Sequence, residues 1–225
     1  MFKSSISIIT ITFNAEATLR RTIESVARQD YEKVEYIIVD GASTDGTMDI
    51  VKAYPNVVTS YISEPDKGLY DAMNKGLAMA TGEYVWFINA GDEIAKPTTI
   101  SDMFNEEPYC DVYYGDTVMT DMSGREIGGR RLSPPETLSW KSFKMGMLVS
   151  HQSFVARRVL CRPYNLKYRF SADFDWCIRI MKDAQQYGMP LFNTRLILTD
   201  YLSEGMTTRN HRKSLFERFR IMCRH

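Results

Sequence analysis

Residues 5–13, SISIITITF, place β-branched side chains at most positions and leave no continuous polar face, the pattern of a parallel strand covered on both sides. From Asn14 onward, Leu19, Ile23 and Val26 recur at helical spacing. Asn14 is placed to cap, and Glu16 falls in the first turn, where the helix dipole favours an anion; the spacing predicts a helix ending near Gln29. Residues 35–39, EYIIV, read as a second strand, and the turn at 40–46 leads into a helix reaching about Tyr54. A shorter strand at 57–63, a helix at 70–80 stopped by Gly82, and the strongly apolar strand 84–88, YVWFI, continue the alternation. Strands and helices alternating at this spacing predict an α/β fold with a doubly wound, mostly parallel sheet flanked by helices.

Beyond Pro97 the periodicity is weaker. It predicts a helix at 98–104, a strand at 112–120, a polar loop punctuated by Gly and Pro at 124–135, a helix at 174–187, and one or two strands at 191–202. Residues 211–224 read as a basic amphipathic helix, with Leu215, Phe216, Phe219 and Met222 near one face. Such a helix packs on its own domain or on the partner of a homodimer, or else lies on a membrane surface. The expected organisation is one domain over 1–210 in two halves, 1–95 and 96–210, the second including a small antiparallel portion. Residues 211–225 form the C-terminal helix.

Composition narrows the partners. The 225 residues are 44% hydrophobic and 25% charged with zero formal net charge, so bulk electrostatics give no reason to expect nucleic acid. Cys110, Cys161, Cys177 and Cys223 are widely spaced and form no C-x-x-C pair, which argues against a disulfide framework and a zinc site and for reduced thiols in a cytoplasm. The run 6–13 is too short to span a bilayer and lacks a small-residue cleavage site after it, so neither a signal peptide nor a membrane-spanning helix is expected.

Parallel α/β sheets bind ligands beyond the carboxyl ends of their strands. Those ends carry Thr12, Phe13 and Asn14; then Asp40; then Glu64, Asp66 and Lys67; then Asn89, Ala90, Gly91, Asp92 and Glu93. Each alone has an ordinary reading as a cap or turn residue, but together they make one polar rim. The rim suits a nucleoside diphosphate: Phe13 can stack on a base, Asp40 can accept a base N–H or a ribose hydroxyl, and Lys67 can sit near phosphates. Asp92, in a turn kept open by Ala90 and Gly91, can bind a hard divalent cation. A second carboxylate pair, Asp173 and Asp175 in SADFDW, begins a helix, where one can cap and one can serve as a general base toward an acceptor hydroxyl.

The ordered motifs strand-TFN, VDGASTDGT, DKGLYDAMNKGLAMATGEYVWFINAGDE, HQSF and ADFDW, spread over residues 5–210, resemble family 2 of the inverting glycosyltransferases on the GT-A fold, of the bacterial surface-polysaccharide type. The resemblance implies a nucleotide-sugar donor, UDP-linked for preference, and a saccharide or lipid-linked saccharide acceptor. It implies an Mg or Mn ion on Asp92 and a catalytic base at Asp173 rather than Asp175. The donor set it implies is Thr12, Phe13, Glu16, Asp40, Asp66, Lys67, Asn74, Asn89, Ala90 and Gly91, with His151 and Asp175 in support. The segment 204–208 resembles a loop that closes over the donor, and His211 just after it is placed to reach the metal or diphosphate. The location implied is cytoplasmic, with peripheral contact at the inner face of the membrane. Gly41, Asn89, Gly91 and Ala172 depart from the commonest family pattern, which keeps a catalytically degenerate sugar-nucleotide-binding protein as the rival. A sugar nucleotidyltransferase is a weaker rival, since the first loop, TFNAEA, has no glycine.

Overall fold

The computed structural model describes residues 4–107, 109–203 and 210–225, apart from the side chain of His211. Strand β1 (Ile6–Thr12) is buried along its whole length, flanked in parallel by β2 (Val34–Asp40) and β4 (Tyr84–Phe87), with β3 (Ser60–Ser63) parallel to β2. Successive β1 side chains serve opposite faces. Ile9 and Ile11 join the core beneath α3 (Leu69–Met79) and α5 (Ala172–Tyr187), whereas Ile6 and Ile8 join the core beneath α1 (Leu19–Ala27) and α4 (Thr99–Glu106). Both faces are covered, which is why the strand reads as a continuous apolar run. Gly76 lets α3 lie directly on β1, since a Cβ there would run into the Ile9 side chain.

The sheet continues past β4 with β8 (Phe154–Arg157) and β6 (Val112–Thr120), each antiparallel to its predecessor. Next come β9 (Leu191–Leu202), parallel to β6, and β5 (Glu93–Ile94), antiparallel to β9. The hairpin strand β7 (Glu126–Gly129) pairs with β6 inside the segment expected to be loop. All nine strands among the described residues belong to one sheet, in the order β3-β2-β1-β4-β8-β6-β9-β5 with β7 off the path. The parallel, doubly wound portion and the antiparallel portion both stand as expected.

Helix α1 begins at Leu19 rather than at Asn14. Asn14 has φ of 47° and turns its side chain away from the helix, where its Oδ1 accepts the Thr44 amide at 2.9 Å. Glu16 likewise reaches the second loop, accepting from the Gly46 amide at 3.0 Å. The two side chains tie the first loop to the start of α2 (Thr47–Lys52) instead of capping α1. The C-terminal helix α6 (His211–Arg224) packs on its own domain, and of the four residues on its apolar face only Met222 joins that contact. Ser214 and Ile221 are buried, Ser171 shares a 2.9 Å hydrogen bond with Ser214, and Glu217 accepts the Arg169 and Phe170 amides. Leu215, Phe216 and Phe219 face outward.

Candidate active site

Strand order reverses between β1 and β4, where open α/β sheets form ligand crevices. A cavity of about 600 Å³ opens there, lined by Thr12 and Phe13 from the end of β1, Asn89, Ala90 and Asp92 from the turn after β4, and Tyr70 from α3. A second cavity of about 590 Å³ adjoins it. The two share His151, Gln152, Asp173 and Tyr201 as a common wall, so they form two lobes of one cleft.

Asp92 is 3% exposed, and its Oδ1 accepts the Leu202 amide at 3.0 Å. Burial pushes its carboxyl up to about 7, against the lowering effect of that amide, of Gln152 and of Arg21. Arg21 does not neutralise it directly, because its guanidinium donates to the Gly91 carbonyl through Nε at 3.0 Å and Nη2 at 2.5 Å. Nearby, Asn89 Oδ1 and Thr12 Oγ1 are buried without any hydrogen-bond partner. Buried oxygens of that kind call for a partner the protein itself does not supply. An orphaned amide oxygen and a carboxylate with too little positive charge therefore line the same lobe, the hard-donor chemistry that fits Mg or Mn. Among the described residues no group of three or more His, Cys, Asp or Glu could hold a metal, so phosphate and water oxygens would complete its shell. The segment 204–208 and the side chain of His211 lie outside the described residues.

Asp173 sits at the start of α5 without capping it. Its Oδ1 accepts the Tyr70 hydroxyl at 2.9 Å, which fixes the carboxyl in the wall between the lobes. Burial, then the Asp173 charge, raises the Tyr70 phenol well above its ordinary value, so it stays a donor. Asp175 takes no part in the cleft: it is buried, ion-paired with Arg179 at 2.8 Å and hydrogen-bonded to His225 Nε2 at 2.9 Å. His151 lies among the rings of Phe87, Tyr164 and Trp176, with Nε2 at 2.6 Å from the Tyr164 hydroxyl. Burial lowers its pKa to about 4, so it is neutral at pH 7. Tyr201, raised to about 12 by burial and then by the Asp92 and Asp173 charges, stands within electrostatic reach of both carboxylates.

Several residues of the expected donor set lie outside the lining of either lobe. Asp40 is fully buried and accepts from the Ser43 amide and hydroxyl and from the Ser63 hydroxyl at 2.6 Å, so it organises the second loop from within. Asn74 clasps the backbone of Tyr164, accepting its amide at 2.6 Å and donating to its carbonyl at 3.1 Å. Asp66 and Lys67 form a turn in which the Asp66 carboxyl accepts the Gly68 amide and the Lys67 amide donates to Asp71. Gly91, at φ of 101°, leaves room that a Cβ would take from Leu202. Sequence reasoning missed Tyr70, Gln152 and Tyr201, together with three arginines of the second lobe, Arg130, Arg131 and Arg218. The tyrosine in DKGLY, next to a predicted helix start, and the glutamine in HQSF were the available signals.

A doubly wound sheet with an acid-bearing crevice at its switch point defines an α/β protein of GT-A architecture. The chain belongs to glycosyl transferase family 2, whose family model matches residues 7–162. A PGL/p-HBAD biosynthesis glycosyltransferase of Mycobacterium bovis (strain BCG / Pasteur 1173P2) is 36% identical over 182 residues, covering 77% of this chain and 68% of the relative. The crystal structure of S. aureus TarS superposes with a TM-score of 0.72 at 22% identity, over 88% of this chain and 36% of TarS. This chain thus spans about a third of that protein's length. The mannosyltransferase PcManGT from Pyrobaculum calidifontis, solved with GDP-Man and Mn2+, superposes with a TM-score of 0.70 at 17% identity, over 100% of this chain and 66% of its own. At these identities the structural likenesses show the fold alone.

Proposed function

We propose that the protein transfers a sugar from a nucleotide-diphosphate sugar, UDP-linked for preference, to an acceptor hydroxyl with inversion, in the synthesis of cell-surface polysaccharide or another glycan. The observation that carries this reading is the place of Asp173, a carboxylate in the wall common to both lobes. From there one group can meet an acceptor hydroxyl in one lobe and the anomeric carbon of a donor in the other. Asp173 takes the proton of that hydroxyl, the oxygen attacks the anomeric carbon, and the nucleoside diphosphate leaves in a single displacement. Tyr70 positions the base by donating to one carboxylate oxygen, leaving the other for the proton. Phe13, 63% exposed, offers a stacking face for the base of the nucleotide. Asp92 and Asn89 would hold a divalent ion, which when bound supplies positive charge to the leaving diphosphate.

Solved complexes of TarS with UDP and with UDP-GlcNAc favour uridine, while GDP-Man on PcManGT keeps guanosine in view. No helix among the described residues is long and apolar enough to cross a membrane. The outward Phe216 and Phe219, with Arg212, Lys213 and Arg220 on the same helix, support a peripheral contact with the cytoplasmic face of a membrane. The deciding experiment is calorimetric titration with UDP and GDP, each with Mn and with EDTA, on the wild type and Asp92→Ala. Metal-dependent binding of one nucleotide, lost in the variant, is the expected result; binding of neither nucleotide overturns the nucleotide-sugar reading.

A further inference from the structure

We propose that the second lobe of the cleft is a subsite for an anionic group on the acceptor, a carboxylate or a phosphate carried near the receiving hydroxyl, held by Arg130, Arg131 and Arg218. The inference rests on the acceptor reading above and assigns that acceptor a chemical class.

The three arginines reach the lobe from separate parts of the chain, two from the segment after β7 and one from α6. Asp173 is the one acidic residue in the same lining, so the lobe carries an excess of positive charge. Among the described residues none of the three forms an ion pair. Arg130 donates to the carbonyls of Met147 at 3.0 Å and Leu148 at 3.4 Å, which leaves most of its five N–H groups unused. Arg218 stacks its guanidinium over Phe174 at 5.6 Å, and its Nε is buried with no hydrogen-bond partner. Burial, and then the neighbouring charge of Arg218, pull the Arg130 pKa down, and Tyr201, Asp173 and Asp116 only partly oppose them.

An ordinary surface arginine gains nothing from such a position, because desolvating a charge beside another of the same sign costs free energy. The arrangement becomes favourable when an anion fills the lobe, and the planar guanidinium fork matches both carboxylate and phosphate oxygens. The donor diphosphate does not supply that anion. Its expected seat is on Asp92 and Asn89 in the first lobe, whose lining includes none of the three arginines. A volume of about 590 Å³ admits a sugar ring bearing its charged substituent.

The test uses the full chain, first titrated with UDP and Mn and then, with UDP saturating, titrated in parallel with a hexuronate, a hexose 1-phosphate and a neutral hexose. At least one anionic sugar is expected to bind about tenfold or more tighter than the neutral one, and whichever wins separates carboxylate from phosphate. Arg218→Gln and Arg131→Gln should each weaken that anion about tenfold, equivalent to about 1.4 kcal/mol, without changing the UDP titration. Arg131 is exposed, so its substitution leaves the fold intact. Equal binding of all three sugars, or variants that bind the anion as the wild type does, overturns the subsite. Variants that lose UDP affinity instead would assign the arginines to the donor and overturn it as well. Failure of the wild type to bind UDP counts against the transferase reading alone, and the sugar titrations, run without nucleotide, still decide the subsite.

Discussion

Acidification should destabilise this protein through His151, by an amount set by its surroundings. The ring is 3% exposed, enclosed by Phe87, Tyr164 and Trp176, and burial holds its pKa at about 4 rather than 6.5, with Asp173 only partly opposing. The unfolded chain therefore takes up a proton near pH 6.5, whereas the folded chain does so only near pH 4. Stability is full above pH 6.5 and declines as the pH falls between those values, by about 1.4 kcal/mol for each pH unit. Between pH 7 and pH 5 the His151 share comes to about 2 kcal/mol. Urea unfolding of the wild type and His151→Gln at both pH values isolates it, because the other titrating groups contribute alike to the two proteins. The variant should start less stable at pH 7, having lost the ring contacts and the Tyr164 hydrogen bond, yet lose about 2 kcal/mol less on going to pH 5. Equal losses in the two proteins would refute the account of His151 as a neutral, desolvated imidazole.

Asp173→Asn should lower turnover about a thousandfold while UDP still binds with wild-type affinity; undiminished turnover removes Asp173 as the base. Wild-type protein should co-sediment with vesicles rich in anionic lipid, and the double variant Phe216→Ser, Phe219→Ser should stay in the supernatant. A wild type that remains soluble in that assay removes the membrane contact.

The parallel half of the fold was legible because β1, β2 and β4 are apolar on both faces and their intervening helices keep clean spacing. The antiparallel half was less so. Strand β8 has four residues and β5 two, too short for a period to register, and the 3₁₀ segment Trp140–Met145 carries no helical stripe. Which face of α6 packs was left open for a related reason. Apolar residues ordinarily mark the buried side of a helix, whereas here Ser214, Glu217 and Ile221 make the docking contacts. In the site, the strand-end residues Phe13, Asn89 and Asp92 line the cleft. The carboxyl of Asp40 and the amide of Asn74 instead meet the chain's own backbone and hydroxyls, which residue type cannot distinguish from meeting a ligand. Tyr70, Tyr201 and the arginines come together only through tertiary packing, and no spacing in the chain announces it.

The turn after β4 crosses to the far edge of the sheet, where Glu93 and Ile94 pair with Asp200 and Thr199 and the Asp92 carboxyl receives the Leu202 amide. The expected seam at residue 95 is therefore stitched by the last strand. Anyone exchanging residues 96–202 between relatives would also replace a support of the Asp92 carboxylate. The two halves cannot be exchanged as independent blocks, and a chimera that respects the stitching must carry 92–94 and 199–202 from the same parent.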